Sequence, residues 1–255
     1  MKRFFLAEKM KYRHMAMGGV IFLMPLICVF LSAWLTHVYF FVDSYNWWYT
    51  ALYPGFLGIL CGMLGNKDKR KKNHTIGSLP CSMGKIWDSK ILVGAWMSAI
   101  ATICIVILTI LVGKGMQAGL HMDFIAVPSL KAQILAGILI WITTLWEIPF
   151  CLLLVQKMGT FLTLIVHMGF YVVLAMIMSL RPWFALFPQA ITARIMCPVL
   201  GVMPNGLLMQ PGQMYYSAQL AEVWAVPVGI AASLVWFGLI WILSRRWFER
   251  KVVSK

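Results

Sequence analysis

Residues 66–90, NKDKRKKNHTIGSLPCSMGKIWDSK, lie between two long apolar runs and decide how the rest of the chain is laid out. The stretch carries Lys67, Lys69, Arg70, Lys71, Lys72, Lys85 and Lys90 against only Asp68 and Asp88. Short Lys/Arg-rich loops beside apolar spans stay on the cytoplasmic side of a membrane, so this loop is expected inside. Behind the basic run, Ile76, Leu79, Met83, Ile86 and Trp87 recur at steps of three, four, three and one, which sets them on one face of a short helix. Pro80 lacks a backbone donor and is expected to break or restart that helix.

The remainder is as apolar as this loop is basic. With 61% hydrophobic and 12% charged residues among 255, and a mean hydropathy of +0.82, the chain has too little polar surface to cover a water-soluble globule of its size. An all-α integral membrane protein is expected. A net charge of +14 in a soluble protein would point to nucleic acid. Here the basic residues flank apolar runs, where they hold loops in the cytoplasm and meet anionic lipid, so lipid rather than nucleic acid is the expected partner.

A hydrocarbon core about 30 Å thick takes about 20 apolar residues of helix. Six stretches qualify, at 15–39, 48–65, 91–113, 133–155, 160–180 and 223–243, and they form one transmembrane domain over 1–255. Alternating sides then sorts the basic residues. Inside fall Lys2, Arg3, Lys9, Lys11 and Arg13, the seven of the second loop, Lys157, and Arg245, Arg246, Arg250, Lys251 and Lys255; outside fall Lys114, Lys131, Arg181 and Arg194. That split of 18 to 4 predicts both termini in the cytoplasm. Tyr39, Phe40, Phe41, Tyr45, Trp47, Trp48 and Tyr49 crowd the first outer loop as an interfacial aromatic belt would.

The opening MKRFFLAEKMKYRH precedes an apolar run long enough to span, and no small-x-small cleavage site is evident, so a retained first helix is expected. Phe4, Phe5, Leu6 and Met10 among basic residues suit an elbow helix lying in the interface, or a basic tail without structure. Residues 184–203, FALFPQAITARIMCPVLGVM, are apolar enough for a seventh span but hold Pro188, Arg194 and Pro198. A seventh crossing would also carry the basic C-terminal end outside. The segment is therefore expected as an apolar re-entrant outer element between spans five and six, dipping into the outer leaflet or packing on the bundle.

Four glycines of the second span, Gly55, Gly58, Gly62 and Gly65, recur at steps of three, four and three and lay a bare stripe along one helix face. Such a seam lets another helix approach closely, within the subunit or between subunits. Glu147 is the only carboxylate inside an expected span and must be protonated, hydrated or partnered there. The tight turn at 156–159 makes spans four and five a hairpin. Glu147 lies ten residues before Lys157 and His167 ten after it, at matching depth, about 15 Å from the turn at 1.5 Å per residue. A Glu147–His167 pair across the hairpin is one expectation; Glu147 facing a water-filled cavity and His167 bonding a carbonyl are the others.

Of the six cysteines, Cys28, Cys61, Cys81, Cys104, Cys151 and Cys197, only Cys197 falls outside, which leaves no disulfide within the outer face. CxxC and HExxH are absent and the five histidines are scattered, so no metal site is expected. No catalytic set for an intramembrane hydrolase is present, and neither is GxxxxGK[ST]. The chain is expected not to be an enzyme, and any work it performs must be powered from elsewhere.

Three stretches carry a family resemblance: KRKKNHTIGSLPCSMGKIWDSK (69–90), LWEIPFCLLL with its tight turn (145–154), and SRRWFERK (244–251). With the span layout, they resemble the permease subunits of type-2 ABC exporters, and are most similar to lantibiotic-immunity permeases of the mutacin and epidermin type. The resemblance implies a bacterial plasma-membrane protein with an N-terminal elbow, a coupling helix after span two and a re-entrant element before span six. It implies docking of a separate ATPase pair on Ile76, Leu79, Met83, Ile86 and Trp87, with ATP and Mg on that partner and no cofactor in this chain. A second permease subunit, commonly a different chain, and an amphiphilic antimicrobial peptide as cargo follow from the same likeness, giving self-immunity or resistance. Trp183, Phe184, Phe187 and Arg194 mark the outer region where cargo contact is expected. An exporter of another hydrophobic drug or antibiotic, and a membrane scaffold or sensor without transport, share these features.

Overall fold

Within hydrocarbon a backbone has no water to bond, so each apolar run must close its hydrogen bonds internally. The computed structural model describes residues 1–12, 16–69 and 82–253. Among these, the runs form α1 (Lys2–Met10), α2 (Met17–Leu35), α3 (Phe40–Trp47), α4 (Tyr53–Lys69), α5 (Met83–Leu120), α6 (Leu130–Thr144), α7 (Glu147–Met158), α8 (Thr160–Met178), α9 (Pro188–Leu200) and α10 (Ala225–Val253). α2, α5, α8 and α10 are each long and apolar enough to cross a membrane; α6 and α7 pass that test together, bent by 42°. The chain is a multi-pass, all-helical membrane protein.

Prolines account for the two breaks in the helical ladders. A proline clashes with the carbonyl four residues earlier and withholds a donor. Before Pro54 the helix widens into a π-turn over Trp48–Leu52, in which Tyr53 N–H bonds the Trp48 carbonyl, and then resumes as α4. Before Pro149 the ladder gives way between Thr144 and Glu147, which produces the bend between α6 and α7. Gly159, at φ +88°, ends α7 and opens α8 without an intervening loop.

The bundle has two dissimilar ends. At the basal end meet α1, the last turns of α4, the first turns of α5, the α7–α8 turn and the last turns of α10, joined by bonds such as Gln156 Nε2 to the Gly65 carbonyl (3.1 Å) and Lys69 Nζ to the Val155 carbonyl (2.7 Å). The distal end holds α3, residues 121–128 and the 201–224 connection. α9 is inserted there among α6, α8 and α10, with Thr143 of α6 and Thr192 of α9 sharing a 2.9 Å hydrogen bond. Residues 188–200 are thus a buried helix packed on the bundle.

Three expectations change. The aromatic segment is not an interfacial belt: Phe40 to Asn46 are all buried, because α3 runs straight on into the π-turn and α4 and is covered by α2, α5 and residues 121–128. Phe41, for example, meets Phe124 edge-on at 5.0 Å and lies on Gly113. The second apolar run is accordingly longer than 48–65, continuing helically from Phe40 to Lys69. Third, the loop after it does not reach residue 90, since α5 is already helical at Met83 and takes in Lys85 and Lys90.

Candidate functional site

The basal end is held by a charge cluster built on Lys90. This residue lies two turns into α5 and its side chain has no solvent exposure. Its ammonium donates to Glu8 Oε1 of α1 (2.6 Å), to Asp68 Oδ2 of α4 (2.5 Å) and to the Leu64 carbonyl (3.2 Å). Lys11 adds a second cation, 2.7 Å from Glu8 Oε2 and 3.4 Å from Asp68 Oδ2, and the Tyr12 hydroxyl donates to Glu8 Oε1 at 2.6 Å. Two cations face two carboxylates, so the buried cluster is neutral as a whole, the condition for keeping charges away from water at tolerable cost. Burial works against ionising Glu8, but Lys90 and Lys11 overcome it and hold its carboxyl below the ordinary value of 4.5. The cluster pins α1 to α4 and α5 at once.

Beside it, Trp87 faces α10 and Ile86 is buried in the core, so neither offers a free surface. Trp87 is fully buried, donates from Nε1 to Ser244 Oγ (3.0 Å) and stacks on Phe248 with centroids 4.6 Å apart. Ile86 is 4% exposed and Met83 half-buried. The expectation of a separate coupling stub presenting Met83, Ile86 and Trp87 is corrected on this geometry. The apolar face begun at Met83 is continuous with α5 and is spent on α10, where Asp88 also accepts from Trp241 Nε1 (2.7 Å) and pairs with Arg245 (3.3 Å). Ile76 and Leu79 lie outside the described residues.

Midway along the bundle, Glu147 and His167 meet. Glu147 opens α7 just after the bend and His167 lies on α8; His167 Nε2 and Glu147 Oε2 are 2.9 Å apart, with both side chains buried. The rings of Trp146, Phe150 and Tyr171 surround the imidazole with centroids within 6.3 Å. Glu147 Oε1 is buried without a partner among the described residues. The pair joins two helices already connected by a turn.

The glycine stripe has a partner inside the same chain. Moving along α4, Gly55, Gly58 and Gly62 lie against Met168, Leu164 and Thr160 of α8, and Gly65 against Val155 at the end of α7. A Cβ on Gly58 would come within 2.7 Å of Leu164 and one on Gly65 within 2.9 Å of Val155. Steps of four along α8 answer the first two steps of the stripe, as antiparallel close packing demands, and α7 takes over at Gly65.

At the distal end Phe184 and Arg194 turn inward while Trp183 stays exposed and Phe187 is half-buried. Arg194 Nη2 donates to the Gln219 carbonyl at 2.5 Å, and its guanidinium lies 5.5 Å from the Phe184 ring centre. Arg194 thereby ties α9 to the 201–224 connection, and Trp183 with Phe187, rings 5.6 Å apart, forms the outer edge of this region.

Glu8, Tyr12, Asp68 and Lys90 were not singled out by sequence. The available signal was slight: Glu8 is the only acid in the first 42 residues, and Asp68 and Lys90 stand just outside the apolar runs they border. Among family models, curated proteins and solved structures, none matches the chain significantly.

Proposed function

We propose that this chain is the membrane-spanning permease subunit of an ATP-driven type-2 exporter, moving a lantibiotic or similar amphiphilic antimicrobial peptide out of a bacterial plasma membrane. In this reading there are six crossings, with the continuous Phe40–Lys69 segment as the second, and the basal end with both termini faces the cytoplasm. The observation that carries it is the unbroken α5: its 38 residues, about 57 Å at 1.5 Å per residue, run from the edge of the basic connection to the distal end. A load applied to residues 70–82 passes into this rod and, through Lys90, into α1 and α4 together. That is the mechanical requirement on a subunit that has no nucleotide-binding sequence and is driven by an ATPase partner.

The step sequence is short. ATP and Mg close a separate ATPase pair, the basic connection moves with it, and α5 tilts with the elements clamped to its base. Two such subunits, of the same or different sequence, rock and release the peptide outward. The Ile76 and Leu79 side chains are the expected grip for the ATPase, and Trp87 is expected to support the rod from within.

The test is purification of the tagged chain from native membranes in mild detergent with mass spectrometry of its companions. A stoichiometric ATPase that is lost on Leu79→Asp is expected. A chain that comes out alone under several gentle conditions would overturn the exporter reading in favour of a scaffold or sensor. Loss of protection against every lantibiotic tried, with another hydrophobic compound still expelled, would overturn the peptide cargo alone.

A further inference from the structure

At the distal end a cavity of about 360 Å³ opens between α3 and residues 205–213. Asp43 and Asn46 form its floor, and each is only 6% exposed. Among the described residues Asp43 takes part in no ion pair, and its hydrogen-bonding neighbour is the neutral Thr36 hydroxyl. Among the described residues the side-chain amide oxygen of Asn46, Oδ1, is buried without a partner. A carboxylate withdrawn from water with no cation beside it, and an amide oxygen with no donor, are costly, and a ligand that donates to both relieves that cost.

The surroundings narrow what such a ligand is. Tyr39 and Trp47 line the wall and Gln210 and Gln213 the mouth. Gly206, at φ +84°, brings the loop backbone over the floor: a Cβ there would be 3.1 Å from Asn46 Nδ2 and 3.8 Å from Asp43 Oδ1. A divalent metal ion asks for several anionic or carbonyl oxygens in a fixed shell; one carboxylate beside aromatic and aliphatic walls suits a cation that carries its own apolar flank.

We propose that this pocket binds an organic ammonium group, with the Asp43 carboxylate and Asn46 carbonyl as acceptors and Tyr39 and Trp47 against the adjoining carbon chain. The site is a property of the chain itself and does not depend on whether it exports anything.

Dansylcadaverine, a fluorescent primary amine, and its N-acetylated form are titrated onto the full chain in phosphatidylcholine nanodiscs, with empty nanodiscs subtracted. The wild-type chain is expected to bind the amine at least tenfold more tightly than the acetylated probe. Asp43→Asn, which preserves shape, is expected to remove that difference, and Asp123→Asn, an exposed acid at the same end, to leave it intact. Equal binding of the two probes by the wild-type chain overturns the proposal without recourse to any variant. So does discrimination that survives Asp43→Asn or disappears with Asp123→Asn, since either assigns the preference to surface charge.

Discussion

A lysine with no exposed surface is among the least expected residues in a protein interior, and Lys90 is tolerated only because two other elements, α1 and α4, bring it oxygen ligands. Removing one partner from such a cluster leaves the opposing charge stranded, which costs about 3–5 kcal/mol; replacing all the partners by neutral groups of similar shape is close to neutral. Lys90→Met is therefore expected to destabilise the chain by about that amount, while Glu8→Gln with Asp68→Asn in the same background recovers most of the loss. Unfolding midpoints in detergent micelles measure both. A triple variant no more stable than Lys90→Met would show that α1 is held by packing and not by charge. Glu147 and His167 differ in kind: they are joined through a hairpin, so spacing from the turn set them at matching depth and made the pair one expectation among three, whereas no spacing rule joins residues 8, 68 and 90.

Among the helices, the decisive contact is the one between α4 and α8. In a membrane no hydrophobic gain drives two apolar helices together, so closeness of approach and the dispersion it allows do most of the work. Gly62 illustrates this, since any Cβ there would overlap Thr160, while Gly18 on α2 has nothing within 4 Å. Gly62→Ala is expected to cost about 1–3 kcal/mol through overpacking. Gly18→Ala is expected to be neutral or to stabilise by up to about 1 kcal/mol through helix propensity. Equal unfolding midpoints for the two variants would remove the seam from the account. The regular steps of three and four made the stripe legible; its occupant was not, because any antiparallel neighbour with a four-residue rhythm fits it.

Across the whole molecule, most of the described basic side chains gather at one end, where α1, the start of α5, the α7–α8 turn and the end of α10 converge, with Lys114, Lys131, Arg181 and Arg194 the exceptions. The proposed orientation then makes a direct prediction. In a cysteine-free background, a thiol at Ser217 in the distal connection is expected to react with a membrane-impermeant maleimide in intact cells. A thiol at Lys2 is expected to react only after permeabilisation. The reverse pattern would invert the assignment and with it the cytoplasmic role of residues 70–82.

Hydropathy and charge are local, additive quantities, so the sequence by itself determined that the chain is helical, membrane-embedded and polarised, with a basic end, a glycine seam and a hairpin that sets Glu147 level with His167. It could not assign the aromatic residues of 39–49 or the apolar face of 83–87, because an apolar side chain has the same periodicity whether it faces lipid, a partner protein or the next helix. Which of these covers it depends on where distant segments come to lie. Only the tertiary structure brings α10 against Trp87, α2 and α5 over α3, and Glu8 and Asp68 onto Lys90, and those long-range contacts decide which charged groups find a counter-charge and which, like Asp43 among the described residues, do not.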